Sequence, residues 1–146
     1  MIGFALSEDL LEIQARARRF AQEEILPIAS EYDRRGGVPP GIVAKARAAG
    51  LLNVTIPQEY GGLGYGALQS AIIAEELGAA CAGISITILV NGLALTPIQL
   101  FGTAEQKERF LRPVASLNAV RSRIAHFPSA NSANRPLACL PSKSPS

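Results

Sequence analysis

Leu6, Leu10, Ile13, Ala17, Phe20 and Ala21 recur at spacings of three and four, the repeat of one face of a helix. Glu12, Arg16, Arg18, Arg19, Gln22 and Glu23 fall mostly off that face. The pattern predicts an amphipathic helix led by Ser7 as side-chain N-cap, with Glu8 and Asp9 placed where the helix dipole favours acids. Pro27 has no backbone donor and is expected to bend or restart the helix. IASEYDRR then continues to Gly36-Gly37, a natural stop with Arg34 and Arg35 near the negative end.

Pro39-Pro40 opens a short helix, GIVAKARAAG, closed by Gly50. LLNVTIP follows as a brief extended run, and QEYGGLGYG as a loop. ALQSAIIAEELGAA has Leu68, Ile72 and Leu77 near one side and Glu75 and Glu76 near another, which favours helix. In ISITILV, Ile84, Ile86 and Ile88 alternate with Ser85 and Thr87, the pattern of a strand, so local pattern leaves helix and strand both open. Thr103 and Gln106 form a capping box that starts a helix over EQKERFLRPVAS, with Phe110, Leu111 and Val114 available for burial. Up to Ser116 the chain therefore reads as mainly α: an up-and-down helical bundle of about five or six helices, followed by a disordered C-terminal tail.

Composition adds a boundary. The 146 residues, 48% apolar, suit one globular domain. Residues 1–116 carry 10 Lys and Arg against 12 Asp and Glu, whereas residues 117–146 carry 4 against none. Four scattered cations without stacking aromatics beyond Phe127 do not make a nucleic-acid surface. Arg16, Arg18 and Arg19 are interleaved with acids and read as a solvated face. From Leu77 to Ala104 there are 28 residues without a charge, long enough to cross a bilayer. Glu75, Glu76 and Glu105 flank it, no aromatic or basic belt does, and Asn91, Pro97, Gln99 and four glycines interrupt it, so a buried core helix rather than a membrane span is expected. MIGFALSEDLLEIQ acquires acids too early for a secretion signal, which points to an intracellular protein, cytoplasmic or in an organelle matrix.

Candidate chemistry is sparse. GGLGYG lies where a phosphate cradle is built, but its spacing matches neither the dinucleotide fingerprint nor a P-loop, and a turn permitting positive φ is the simpler reading. Glu75 and Glu76 point about 100° apart on a helix and read as a solvated face. His126 has no partner for a metal site or a triad. Cys81 and Cys139 give neither a disulfide framework nor a zinc spacing, and Cys81 is expected to be an inert buried thiol. No catalytic, cofactor or metal residue is assigned.

Taken in order, FALSEDLLEIQARARRFAQEEILPIASEYDRRG, AGLLNVTIPQEYGGLGYGALQSAIIAEELG and LFGTAEQKERFLRPVAS resemble the N-terminal helical domain of acyl-CoA dehydrogenases over residues 4–116. The resemblance implies that the stretch around ISITILVNGLALTPI is a buried helix. It implies a family activity in which a carboxylate takes the proton beside the thioester carbonyl of an acyl-CoA and FAD accepts a hydride from the next carbon. By position it implies that Ser85, Leu89 and Leu93 face the acyl tail, although the same three read equally well as ordinary core. The segment 117–146, LNAVRSRIAHFPSANSANRPLACLPSKSPS, does not resemble the flavin-binding β-domain that the family places next. The expectation is a truncated family member with a frame or exon change near Ser116 or Leu117. It would supply only the α-domain, bind no FAD by itself, and be prone to associate through uncovered apolar surface, a homo-oligomer included. A non-catalytic helical interaction module is the alternative, and a membrane-associated protein the third.

Overall fold

The computed structural model describes residues 5–115. Helix α1 (Glu8–Phe20) begins directly after Ser7, whose backbone is extended and whose side chain makes no capping hydrogen bond. A π-helical turn, Ala21–Ile25, links it to α2 (Leu26–Arg35) without a break in helical backbone. The Leu26 amide donates to the carbonyl of Ala21, five residues back. Pro27 explains the widening: it cannot donate to the carbonyl four residues before it, and the helix absorbs the defect as one wide turn rather than a sharp bend. Glycine at 36 then ends α2, its amide closing on the Tyr32 carbonyl at 2.9 Å.

Helix α3 (Ile42–Ala48) is short and closes where the Leu51 amide returns to the Ala46 carbonyl at 2.9 Å. A 3₁₀ turn at Gln58–Tyr60 precedes α4 (Ala67–Ala80) and α5 (Ala82–Phe101), and α6 (Ala104–Ala115) completes the described chain. Among these residues there is no strand. The Thr103 amide donates to Gln106 Oε1 at 2.9 Å and the Gln106 amide to Thr103 Oγ1 at 3.2 Å, the reciprocal cap read from the sequence. The disordered tail expected beyond Ser116, with His126 and Cys139, lies outside the described residues.

Helix α4 is the central post. It packs between α1 and α5, so its apolar residues occupy two sides rather than one: Ile73 and Leu77 are fully enclosed. Ile13, Ala17, Phe20 and Ile25 meet it from the first rod, and Ile84 and Ile88 from α5. Enclosing each such aliphatic side chain contributes roughly 1.5–3 kcal/mol. A smaller cluster, Ile56, Leu95 and Leu111, fastens α6 to the far end of α5.

Two local patterns yielded to this packing. Ile84 and Ile88 point inward while Ile86 is exposed, a helical and not an alternating arrangement, so the strand option for ISITILV falls. LLNVTIP forms turns instead of an extended strand: Leu51, Leu52, Val54 and Ile56 are all buried, and Asn53 takes a left-handed φ of 56°. Asn tolerates that conformation because its short amide finds local hydrogen bonds there.

Helix α5 is long and apolar enough to cross a membrane by length and composition, and 22% of its most apolar window is buried. One side packs on α3, α4 and α6. The other presents Ile86, Val90, Leu93, Leu100 and Phe101 as an exposed apolar stripe.

Candidate functional site

The stretch 53–55 runs beside the α4–α5 pair, and a cleft of about 400 Å³ opens between them. Its walls follow from residue size. Helix α4 offers Ala67, Ser70, Ala71 and Ala74, at the three-and-four spacing that stacks small side chains on one face. Helix α5 answers with Leu89, Gly92 and Leu93, and the connecting stretch closes the third side with Asn53, Val54 and Thr55. Small residues on one wall and leucines on the other leave an elongated apolar slot. No lining residue is ionisable.

Of the three residues assigned to an acyl tail, Leu89 is half-buried against the main core and Leu93 is 70% exposed at the cleft's mouth. Ser85 lies one turn earlier, is buried, and is not part of the lining. The cleft thus brings together two of the three.

Two of the cleft's polar side chains are held by hydrogen bonds. Asn53 Nδ2 donates to the Val114 carbonyl at 2.9 Å, and Asn53 Oδ1 accepts from Asn91 Nδ2 at 3.1 Å. Ser70 Oγ donates to the Gly66 carbonyl at 2.9 Å. Thr55 Oγ1 is buried with no hydrogen-bond partner. Asn53 and Thr55 were not singled out from the sequence; an Asn inside an apolar run was the one available signal for the left-handed turn that places them.

Four amides of the glycine cluster are already committed. The amides of Gly61, Gly62, Gly64 and Tyr65 donate to the carbonyls of Gln58, Pro57, Ile56 and Val54, at 2.9, 3.2, 2.8 and 2.8 Å. A cradle for phosphate needs such amides free and convergent. Here they lock a turn onto the preceding stretch. Gly62 is also required sterically, since a Cβ there would stand 2.0 Å from the Ile56 carbonyl oxygen.

Glu76 corrects the sequence reading. It is 8% exposed, not on a solvated face, and Arg18 pairs with it from α1; Glu75 alone is exposed. Hydrogen bonds from Arg18 hold the Glu76 carboxyl below the usual carboxylate range against the opposing effect of burial, and Gln14 adds to the lowering. The charge is spent on joining α1 to α4, away from the cleft. Cys81 is half-buried at the α4–α5 junction rather than fully enclosed. Among the described residues no group of His, Cys, Asp and Glu could hold a metal ion.

Comparison with known proteins matches residues 7–118 to the acyl-CoA dehydrogenase N-terminal domain. The chain is 35% identical over 131 residues to a probable medium-chain specific acyl-CoA dehydrogenase 2, mitochondrial, of Caenorhabditis briggsae, covering 90% of this chain and 32% of that one. It is 39% identical over 100 residues to the human short-chain specific acyl-CoA dehydrogenase, mitochondrial, covering 68% of this chain and 24% of that one. The butyryl-CoA dehydrogenase structure from Megasphaera elsdenii superposes with a TM-score of 0.68 at 28% identity, over 78% of this chain and 31% of that one. The chain therefore spans about a third or less of the length of these relatives. The family match over residues 7–118 covers the span to which the sequence reading assigned the likeness, residues 4–116.

Proposed function

Since the chain belongs to the acyl-CoA dehydrogenase family through its N-terminal domain, we propose that its α4–α5 cleft is the wall against which the acyl chain of an acyl-CoA thioester lies. The observation that carries this reading is the slot itself: an apolar, uncharged trough with Leu89 and Leu93 on one side and the small residues of α4 on the other. A dehydrogenation beside a thioester needs the acyl chain held in one orientation and water kept from it. The aliphatic lining supplies the orienting wall, whereas Ala67, Ala71, Ala74 and Leu93 are exposed, so exclusion of water falls to a further surface laid over the cleft. Proton abstraction falls to a carboxylate outside this cleft.

In the glycine cluster, the amides of Gly61, Gly62, Gly64 and Tyr65 are committed to the preceding stretch and are not available to a pyrophosphate. The exposed apolar stripe on α5, Ile86 to Phe101, serves in this reading as a face for packing against a further domain or chain. An intracellular setting suits this role. The same stripe favours the second reading, a non-catalytic helical module that pairs with a partner through α5.

Titration of the chain with octanoyl-CoA, followed by leucine methyl resonances, tests the first reading. Saturable shifts at Leu89 and Leu93, with Leu100 unmoved, are expected. Shifts at Leu100 without Leu89, or none at all, would leave the cleft without this role.

A further inference from the structure

Helix α5 divides into two faces. Ile84, Ser85, Ile88 and Leu95 are buried in the bundle, while Ile86, Val90, Leu93, Pro97 and Leu100 are exposed. The exposed five follow one another at steps of four, three, four and three, the repeat that keeps an apolar seam facing a second helix along its length. From Ile86 to Leu100 the seam runs about 21 Å at the helical rise per residue. Phe101 stands beside its end, 86% exposed. Thr87, Leu89, Ala94 and Thr96 border the seam, and none carries a charge. Thr87 Oγ1 donates to the Gly83 carbonyl at 3.0 Å and Thr96 Oγ1 to the Gly92 carbonyl at 2.6 Å, so both hydroxyls can be covered without losing a partner. A foreign amphipathic helix brings charged residues beside its own apolar row, and these would find no counter-charge here. A second α5 brings none.

We propose that α5 is a self-pairing face, through which two copies of this chain join as an antiparallel, twofold-symmetric dimer with Leu93 at the axis. This rests on the reading of the stripe as a packing face. Side-chain size sets the orientation. Antiparallel pairing centred on Leu93 puts Ile86 against Leu100 of the second copy and brings Phe101 over its Ala82 and Gly83, which are exposed and where a side chain at 83 would meet nothing. Parallel pairing would crowd Phe101 against Phe101 and leave glycine facing glycine. Ile86, Val90, Leu93, Leu100 and Phe101, exposed to between 42% and 86%, offer on the order of 600 Å² per copy, hence about 1,200 Å² between two, the lower end for a specific interface. Both copies use the same patch, so association closes at two. Leu93 also stands at the mouth of the cleft, and the second copy thus covers part of that opening.

Sedimentation equilibrium of the full chain tests this. A monomer–dimer equilibrium with half-association in the micromolar range is expected for so modest an area. Leu100→Glu and Ile86→Lys, both at exposed positions, should each weaken it at least about tenfold, since each buries an unpaired charge twice per dimer. Combining the two changes in one chain should restore most of the affinity, because antiparallel pairing sets the new acid against the new base, whereas parallel pairing sets like against like. Leu26→Glu, at an exposed leucine of α2, should leave the dimer within about twofold. Far-UV circular dichroism should match across the variants; if a charged variant loses helicity, Leu100→Ala carries the test with a several-fold weakening. A dimer that survives both single changes, association that runs past two, or a monomer at every concentration would overturn self-pairing, and a combined variant that stays monomeric would overturn the antiparallel register. A monomer that binds a hydrophobic dye, lost in Leu100→Glu, would keep the packing face and refute the dimer, whereas a monomer that binds none would refute both. A monomer that binds phosphatidylcholine vesicles, lost in Leu100→Glu, would reassign the stripe to a lipid surface.

Discussion

Arg18 of α1 holds Glu76 of α4 with both arms of its guanidinium, Nε to one carboxylate oxygen at 2.9 Å and Nη2 to the other at 2.6 Å, across 58 residues of sequence. The carboxylate end is 9% exposed and the guanidinium end 55%. Such a fork fixes rotation as well as distance between two helices, and α4 in turn carries one wall of the cleft. The pair therefore positions the slot from its far side.

Removing Arg18 leaves a buried carboxylate without its partner. Arg18→Ala is expected to lower the urea midpoint, by less than the loss of a fully buried pair would, because water already reaches the guanidinium. Replacing both partners with apolar residues, Arg18→Leu with Glu76→Leu, should recover most of that loss. Urea midpoints of the two variants check it, and equal losses would show that the pair contributes nothing beyond packing.

The same carboxylate sets a pH dependence. Folding holds the Glu76 pKa below its ordinary value of 4.5, so below about that pH the unfolded chain binds more protons at this site than the folded one. Its contribution is complete above pH 4.5 and is lost as pH falls through the depressed folded value. Urea midpoints should hold steady on the neutral side and drop on acidification, and Glu76→Gln should flatten that drop. An unaltered acid profile in the glutamine variant would exclude Glu76 as its source.

Gly62 tests the turn that seats the cleft's third side. An added Cβ would overlap a backbone oxygen, which cannot rotate away as a side-chain end could. Gly62→Ala should cost at least about 2 kcal/mol, at the upper end of overpacking effects, whereas Gly66→Ala, whose nearest neighbour is the movable Gln69 amide at 3.2 Å, should cost less than half as much. Thermal unfolding of the two variants measures the difference, and similar shifts in both would contradict the steric account.

The helices were legible because their signals are local. The spacing from Leu6 to Ala21, the Thr103 and Gln106 exchange and the stop at Gly36 each depend on residues within a turn or two. Glu76 was misread because its burial is decided by Arg18, 58 residues away, and no helical spacing contains that information. The alternation at Ile84 to Ile88 resembled a strand because isoleucine and threonine are stiff at χ1, and packing against α4 outweighed that preference. The wide turn before Pro27 replaced a bend because helix geometry can absorb one missing donor by adding a residue. The slot was half legible: Leu89 and Leu93 came from the resemblance, while Thr55 and Gly92 enter only when three separate segments are brought side by side.

Asn53 joins these segments, and its two roles can be separated. Its left-handed backbone, φ 56°, turns the chain under the cleft, and its amide bridges α6 to α5 by giving a proton to Val114 and accepting one from Asn91. Asn53→Gly keeps the backbone conformation and removes the bridge, leaving Val114 and Asn91 each short of one partner, for an expected loss of about 1–2 kcal/mol. Asn53→Ala removes the bridge and also strains the backbone, adding roughly 1 kcal/mol for a residue with a Cβ in that region. Alanine should therefore be the more damaging change although it is the better helix former and the closer match in size. Amide exchange should rise in α6 for both variants, since the bridge is one of the few ties between that helix and the rest of the bundle, and should stay low in α1 and α4, whose contact does not pass through Asn53. Equal stability of the glycine and alanine variants, or exchange that rises evenly along the chain, would show that Asn53 is held by its surroundings rather than holding them.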